Sequence, residues 1–143
     1  MQKYQYENEI ELSSYPIYYT VDMAMANNDI IRRGALPYNV KRLQLFMYHY
    51  YNNIPDKVTI TDYGIDGYPA ISKLQYTGDG IVFTQRYYVD RSNPEERINY
   101  QTFYGHKMFD KYRIKRDRLL RDYILITNDN KEIPVFTERL YYP

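Results

Sequence analysis

Cysteine and tryptophan are both absent from the 143 residues, and glycine occurs only six times. Without cysteine the chain has no disulfide bond, no thiolate metal ligand and no cysteine nucleophile. Lysine and arginine number 19 against 18 aspartate and glutamate residues, a formal net charge of +1. That balance argues against a protein whose whole surface is built to bind polyanions, although local basic patches remain compatible with it.

Long apolar runs are also lacking, so the sequence predicts no transmembrane helix. The N-terminal stretch MQKYQYENEIELSS has one lysine and no apolar centre, which is not the pattern of a secretory signal peptide. We therefore expect either a cytoplasmic protein or a mature form that lacks its export signal. The length predicts one domain, with residues 1–15 as a loose N-terminal arm and residues 16–143 as the folded part.

Tyrosine is abundant, with 20 residues. Its ring can face a core while its hydroxyl stays in water, and tyrosine is also favoured at recognition surfaces. One interpretation is that tyrosines fill strand positions where phenylalanine or valine would otherwise stand. The other is a tyrosine-lined binding face on an open sheet, for which the candidate residues are Tyr63, Tyr76, Tyr87 and Tyr88.

Residues 56–88 predict three consecutive antiparallel strands. Val58 and Ile60 alternate with polar residues, which is the period of a half-buried strand. The Gly78-Asp79-Gly80 sequence predicts a turn, because glycine permits positive φ and aspartate favours turns. The predicted strands cover residues 56–63, 69–77 and 81–88.

A main amphipathic helix is predicted from Val40 to about Tyr51, because apolar residues recur there at spacings of three and four. Asn39 precedes this helix, and Pro55 follows its end. A short N-terminal helix is predicted at residues 21–27, with Thr20 as its N-cap. Further strands are predicted at residues 97–104, 123–127 and 132–140.

The last of these strands contains Pro134, which predicts that it lies at a sheet edge. The segment before residue 123 is compatible with either a strand or a helix. Together the patterns predict an α+β fold, a mostly antiparallel sheet with one main helix packed on it.

A basic run occupies residues 111–121. Arginine with interleaved aromatic residues is typical of surfaces that bind single-stranded nucleic acid. An anionic cell-wall polymer, a lipid surface or an acidic protein would also suit it, and the alternative is a solvated face with balanced charges. The cations of the run are Lys111, Arg113, Lys115, Arg116, Arg118 and Arg121.

His49 and His106 are the only histidines. His106 could act as a general base if Asp110 lay within reach, but no nucleophile is predicted beside it. Asp62, Asp66 and Asp79 lie in or near turns without the spacing of a calcium loop. Gly78 and Gly80 lack the third glycine and the helix of a nucleotide-binding fingerprint. The sequence therefore predicts no cofactor and no metal site.

Many spaced positions in residues 18–91 agree with one family pattern. They are Asn28-Asp29-Ile30-Ile31, Gly34, Tyr38-Asn39, Asp56-Lys57-Val58-Thr59-Ile60, Tyr63, Gly67, Pro69, Ile71, Leu74, Tyr76, Gly78, Ile81, Phe83, Thr84 and Asp90-Arg91. The segment resembles a family of small Gram-positive bacterial proteins known only as a domain of unknown function, many of them exported lipoproteins. The resemblance implies an α+β domain and leaves its activity open. The C-terminal cysteine pair and the lipobox of many members are absent here.

These observations favour a non-enzymatic binding module that contacts a protein or a cell-surface polymer through the tyrosine face and the basic run. The alternative is a cytoplasmic inhibitor or nucleic-acid-associated protein of phage or mobile-element type, acting through residues 111–121. A hydrolase that uses His106 is a third class. In the basic run, the residues expected to bind the partner are Arg113, Lys115, Arg116 and Arg118.

Overall fold

Three helices and eight strands make up the part of the chain that the structure describes. The computed structural model describes residues 2–34, 36–64, 68–88 and 98–140. In chain order the elements are α1 (Gln2–Ser13), α2 (Val21–Ala26), β1 (Ile30–Arg33), β2 (Leu36–Tyr38), α3 (Val40–Tyr51), β3 (Asp56–Tyr63), β4 (Pro69–Tyr76), β5 (Ile81–Tyr88), β6 (Ile98–Lys115), β7 (Arg118–Thr127) and β8 (Glu132–Leu140).

All eight strands belong to one sheet with the order β2-β1-β3-β4-β5-β6-β7-β8. Neighbouring strands are antiparallel except β1 and β3, which are parallel and are joined through β2 and α3. A parallel pair needs such a crossover because the chain must return to the same end of the sheet. The end strands β2 and β8 contact each other, so the sheet curls around until its two edges meet.

The main core lies on the concave face, between the sheet and α3. Leu43, Phe46 and Met47 of the predicted amphipathic stripe are buried there, which confirms the main helix and its packing. Burial of each such side chain contributes about 1.5–3 kcal/mol. The sheet supplies Ile30, Val58, Ile60, Leu74, Tyr76, Ile81, Phe83, Met108, Tyr123, Leu125, Val135 and Phe136.

A second, smaller core covers the opposite face of β1, β3 and β4. It contains Leu12 of α1, Ala24 of α2 and Ile71 of β4, together with Tyr19, Ile31 and Tyr63. The prediction of a loose arm at residues 1–15 is therefore wrong for the described part of that segment. Asn8 and Leu12 lie one helical turn apart, and both are fully buried. The segment is mostly polar because Asn8 and Leu12 are the only described residues of α1 that are fully buried, while Gln5 and Glu11 contact polar side chains of the sheet.

Arg86 of β5 fixes the end of α1 to the sheet. Its guanidinium is buried and donates hydrogen bonds to the backbone carbonyls of Leu12 at 2.7 Å, Tyr15 at 2.8 Å and Pro16 at 2.9 Å. The last carbonyls of a helix have no partner within the helix, and a cation there also suits the helix dipole. One arginine from the sheet thus binds a carbonyl in the last turn of α1 and two carbonyls of the segment that follows it.

The three-stranded meander is confirmed as β3, β4 and β5, but the expectation of half-buried strands is corrected. Residues on both faces of β4 are buried because helices cover both sides. Even Lys73 is buried, and its Nζ donates to the hydroxyls of Tyr15 at 2.6 Å and Thr59 at 2.8 Å.

The C-terminal strands also follow the prediction, with one extension. Residues 111–122, which the sequence leaves open between helix and strand, form the distal part of β6 and β7. The edge position of β8, predicted from Pro134, is confirmed. Expectations for residues 65–67, 89–97 and 141–143 lie outside the described residues. Within the described chain, no helix has both the length and the apolar content needed to cross a membrane.

Candidate anion-binding site

The hairpin of β6 and β7 carries the basic run. Lys115 pairs with Arg118, and the two residues between them form the turn. Arg116 has φ +52° and Asp117 has φ +63°, so both adopt the left-handed conformation of a type I′ turn. The backbone twist of a type I′ turn matches the right-handed twist of the two strands, so the turn favours regular pairing of β6 with β7. A positive φ is energetically unfavourable for residues other than glycine, and at the hairpin tip two such residues adopt it in succession.

Strand periodicity places the cations on one face of this hairpin. Lys111, Arg113 and Lys115 alternate along β6, about 6.6 Å apart. Directly opposite them on β7 stand Asp122, Leu120 and Arg118. On β8, Arg139 pairs with Leu120 and continues the same face. This face is turned away from α3, because the core residues Tyr123 and Leu125 occupy the alternate positions of β7.

The face forms one wall of an open groove of about 830 Å³, which we call the cationic groove. Its other wall is the β1–β2 hairpin, represented by Arg32, Gly34 and Pro37. The groove is lined by seven cations and two carboxylates, with Leu120, Ile124 and Pro134 among its apolar residues. The seven cations are Arg32, Lys111, Arg113, Lys115, Arg116, Arg118 and Arg139.

The inner part of the cationic groove is electrostatically neutralised. Arg113 pairs with Asp122, and the hydroxyl of Thr137 donates to the same carboxylate at 2.7 Å. Burial alone would raise the pKa of Asp122, but the hydrogen bonds from Arg113 and Thr137 outweigh it and lower that pKa. Lys111 lies 3.9 Å from Glu132. The two carboxylates offset the charge of the two cations, most closely at the pair of Arg113 and Asp122.

The outer part carries uncompensated positive charge. Lys115, Arg116, Arg118 and Arg139 are exposed, and no carboxylate of a described residue forms an ion pair with any of them. These four cations, on and beside a turn whose one carboxylate is Asp117, create a net positive potential that attracts anions. The sequence anticipated the first three. Arg32 and Arg139 were missed, because the β7–β8 register brings Arg139 to the basic run and the curling of the sheet brings Arg32 to it.

The predicted tyrosine face is not assembled in this way. Tyr63 lies in the smaller core and Tyr76 in the main core, on opposite faces of the sheet. Tyr88 is also buried and donates its hydroxyl to the carbonyl of Ile17 at 2.8 Å, while Tyr87 is half-buried. Three of the four candidates thus serve the interior, so they offer no common contact surface on the folded chain.

The two histidines lie in different surroundings. His49 Nδ1 is 2.8 Å from Asp56 Oδ2, and Arg42 donates to both oxygens of the same carboxylate. Burial would raise the pKa of Asp56, but the hydrogen bonds from Arg42 and His49 dominate and lower it to about 2. His106 is exposed at the bulge of β6. The carboxylate of Asp110, its suggested partner, receives a hydrogen bond from Arg121 at 2.9 Å instead.

Metal-ligand geometry is likewise lacking in the described chain. Among residues 2–34, 36–64, 68–88 and 98–140, no three histidine or carboxylate side chains converge on a position where an ion could bind. Asp62 faces Arg32 at 4.0 Å and Asp79 lies exposed in the β4–β5 turn, while Asp66 is outside the described residues.

Comparison with models of known protein families, with curated protein sequences and with solved structures found no match. The family resemblance drawn from residues 18–91 stays a prediction. The geometry of the cationic groove is therefore the basis for the proposed function.

Proposed function

We propose that this protein is a non-enzymatic binding module that holds an anionic partner in the cationic groove. The observation that carries the proposal is the set of four exposed cations at and beside the hairpin tip, none of which pairs with a carboxylate of the described residues: Lys115, Arg116, Arg118 and Arg139. Unpaired cations held close together repel one another, so they lower stability unless an anion joins them. The strained turn between Lys115 and Arg118 supports the same reading, because local rules are most often broken at functional sites.

The test is direct binding of defined anionic polymers to purified protein. Fluorescently labelled poly-L-glutamate, polyglycerol phosphate and an oligo(dT) of about 20 nucleotides serve as probes, at about 50 mM salt so that screening is limited. The variant Lys115→Glu/Arg118→Glu is expected to weaken binding of the preferred probe at least tenfold, which corresponds to about 1.4 kcal/mol.

A matched control separates the groove from overall charge. The variant Lys3→Glu/Lys41→Glu changes the net charge by the same amount at exposed positions of α1 and α3. It is expected to retain binding within about twofold, because neither position lines the cationic groove. Equal losses in the two variants, or no binding of any probe by the native protein, would contradict the proposal.

A nucleic acid is the second candidate partner, and the spacing of the cations favours it. Alternate residues of a strand lie about 6.6 Å apart, which suits the phosphates of an extended single strand. Against it, the groove lining that the structure describes contains no aromatic ring on which bases could stack. Contact with four phosphates would give a log–log salt slope of about −3 for oligo(dT), and a slope near zero would remove this candidate.

A further inference from the structure

Within the described chain, the strand β6 has an open edge beside the cationic groove. Its residues 98–105 pair with β5, but β5 begins at Ile81, opposite Gly105. From Lys107 to Lys115, β6 pairs with β7 alone. No strand of the described chain therefore lies along the other side of this segment, although such edges normally find a partner or are protected.

Two observations show which residues present their backbone to this edge. The N–H of Met108 donates to the hydroxyl of Tyr50 of α3, so it points away from β7. Because backbone direction alternates along a strand, Asp110, Tyr112 and Ile114 point the same way. The hairpin turn agrees, because Lys115 and Arg118 flank a two-residue loop and are the pair bonded across it.

Helix α3 covers only the inner part of the edge. The hydroxyl of Tyr50 accepts a hydrogen bond from the N–H of Met108, and the hydroxyl of Tyr51 donates to the Asp110 carboxylate at 3.3 Å. Beyond Asp110, no described residue forms a hydrogen bond with the outward backbone groups of Tyr112 and Ile114. Two N–H donors and two carbonyl acceptors thus stand in line at the outer part of the edge.

The side chains along this segment differ between its two faces. Lys111, Arg113 and Lys115 face the cationic groove. On the opposite face, Tyr112 is 59% exposed and Ile114 is 73% exposed, which is unusual for large apolar side chains on a strand. A strand laid along the edge would find cations on one side and apolar groups on the other.

We propose that this edge binds an extended acidic segment of a partner protein, which adds to the sheet as a ninth strand and alternates acidic with apolar residues. The inference rests on the proposed function and names its partner class. Addition of a strand to a sheet edge draws affinity from backbone hydrogen bonds and specificity from alternate side chains. Acidic residues would stand on the groove side, beside Lys115, which forms no ion pair with a described residue, and apolar residues would stand beside Tyr112 and Ile114.

Charge complementarity selects this occupant over a second copy of the chain. Pairing of two β6 edges would place the cations of one copy against those of the other, and like charges on facing strands are destabilising. A nucleic acid carries negative charge but has no peptide N–H and C=O groups in strand register, so it would not form the strand-type hydrogen bonds to the backbone of Tyr112 and Ile114.

The experiment compares two labelled heptapeptides of identical composition. One alternates, Glu-Val-Glu-Val-Glu-Val-Glu, and the other places its four glutamates before its three valines. Only the alternating peptide can put its charges on one face of an added strand. We expect it to bind the native protein about tenfold more tightly than the block peptide, as fluorescence anisotropy would show.

A variant tests the backbone contribution. Ile114→Pro removes an N–H that points outward and leaves the hydrogen bonds to β7 in place, since proline is tolerated on an edge strand. Ile114→Thr is the control that keeps the N–H. We expect Ile114→Pro to lose the tenfold preference while it binds the block peptide as before, and Ile114→Thr to retain most of the preference.

A second measurement uses only native protein, so its result does not depend on whether the Ile114→Pro variant folds. The alternating peptide is N-methylated either at its glutamates or at its valines, and each form is bound to native protein. A strand offers its edge partner the N–H groups of one alternate set only, so one methylated peptide is expected to lose the preference and the other to keep it.

The outcomes separate the two proposals. Equal binding of the two heptapeptides, or equal effects of the two methylated forms, would overturn strand addition and leave the groove as a plain anion site. Tighter binding of oligo(dT) that Ile114→Pro does not change would overturn it in favour of nucleic acid. If Lys115→Glu/Arg118→Glu changes no binding at all, the proposed function fails as well.

Discussion

The strands β3 to β5 and the hairpin of β6 and β7 are both antiparallel but differ in what covers them. In the first region, α3 packs on one face and α1 and α2 on the other, so even Lys73 and Arg86 are buried. In the second, α3 covers one face of the inner part, and the other face is exposed and cationic. The comparison teaches that a polar residue on a strand marks a surface only where no helix lies above it.

The largest expected effect belongs to a cation of the covered region. Arg86→Met removes three hydrogen bonds from the carbonyls of Leu12, Tyr15 and Pro16, and we expect a loss of about 3–5 kcal/mol in the free energy of unfolding. Urea denaturation measures it. Arg118→Met at the hairpin tip is the matched control, expected to change stability by no more than about 0.5 kcal/mol. Similar losses in both variants would show that the two regions do not differ as described.

An intermediate effect is expected from Asp56, in the covered region between α3 and β3. Its pKa of about 2 in the folded protein lies below the ordinary value of 3.8, so the carboxylate stabilises the fold above about pH 4 and loses that contribution as the pH falls through 2. The contribution is about 2 kcal/mol. We expect native protein and Asp56→Asn to differ by that amount at pH 6 and to converge near pH 2, in urea titrations at each pH.

The control for Asp56 is Asp122→Asn, whose carboxylate belongs to the exposed face. Its pKa is also lowered in the folded protein, so the native protein should again be the more stable of the pair above about pH 4. The difference is expected to be smaller, because its partner Arg113 is far more open to water. A pH-independent gap between native protein and Asp56→Asn would refute the assigned role of that carboxylate.

The smallest expected effect concerns the turn at the hairpin tip. Asp117→Gly relieves a left-handed aspartate and is expected to raise stability by up to about 1 kcal/mol without loss of anion binding. Arg116→Asn/Asp117→Gly should be at least as stable but should bind the preferred anion more weakly, because one unpaired cation is gone. Thermal unfolding and anisotropy measure the two properties. A gain in both properties for the double variant would argue that Arg116 takes no part in binding.

Much of the fold follows from local pattern. The stripe on α3, the three strands of the meander and the edge position of Pro134 were each readable from spacing or backbone chemistry, and the structure confirms them. The helix α1 was not, because its polar residues hide the single stripe formed by Asn8 and Leu12. Its stability comes from the docking of that stripe and from Arg86, which is distant in sequence.

The candidate site was only partly accessible to sequence reasoning. Lys115, Arg116 and Arg118 are neighbours along the chain, and their charge was evident as soon as the run was read. Arg139 joins them through the β7–β8 register and Arg32 through the curl of the sheet. The proposed tyrosine face did not form, because the number of tyrosines in a sequence does not show whether a given ring faces water or a core.

Sequence alone determined the α+β fold class, because helix and strand periods and turn residues act over a few neighbouring residues. The absence of cysteine likewise excluded disulfide bonds. Tertiary structure alone decided which strand faces are covered, which cations find a carboxylate and where a backbone edge stays open. The physical reason is that burial, ion pairing and strand addition depend on distances between segments far apart in the chain. Those distances exist only once the sheet has curled and the helices have docked.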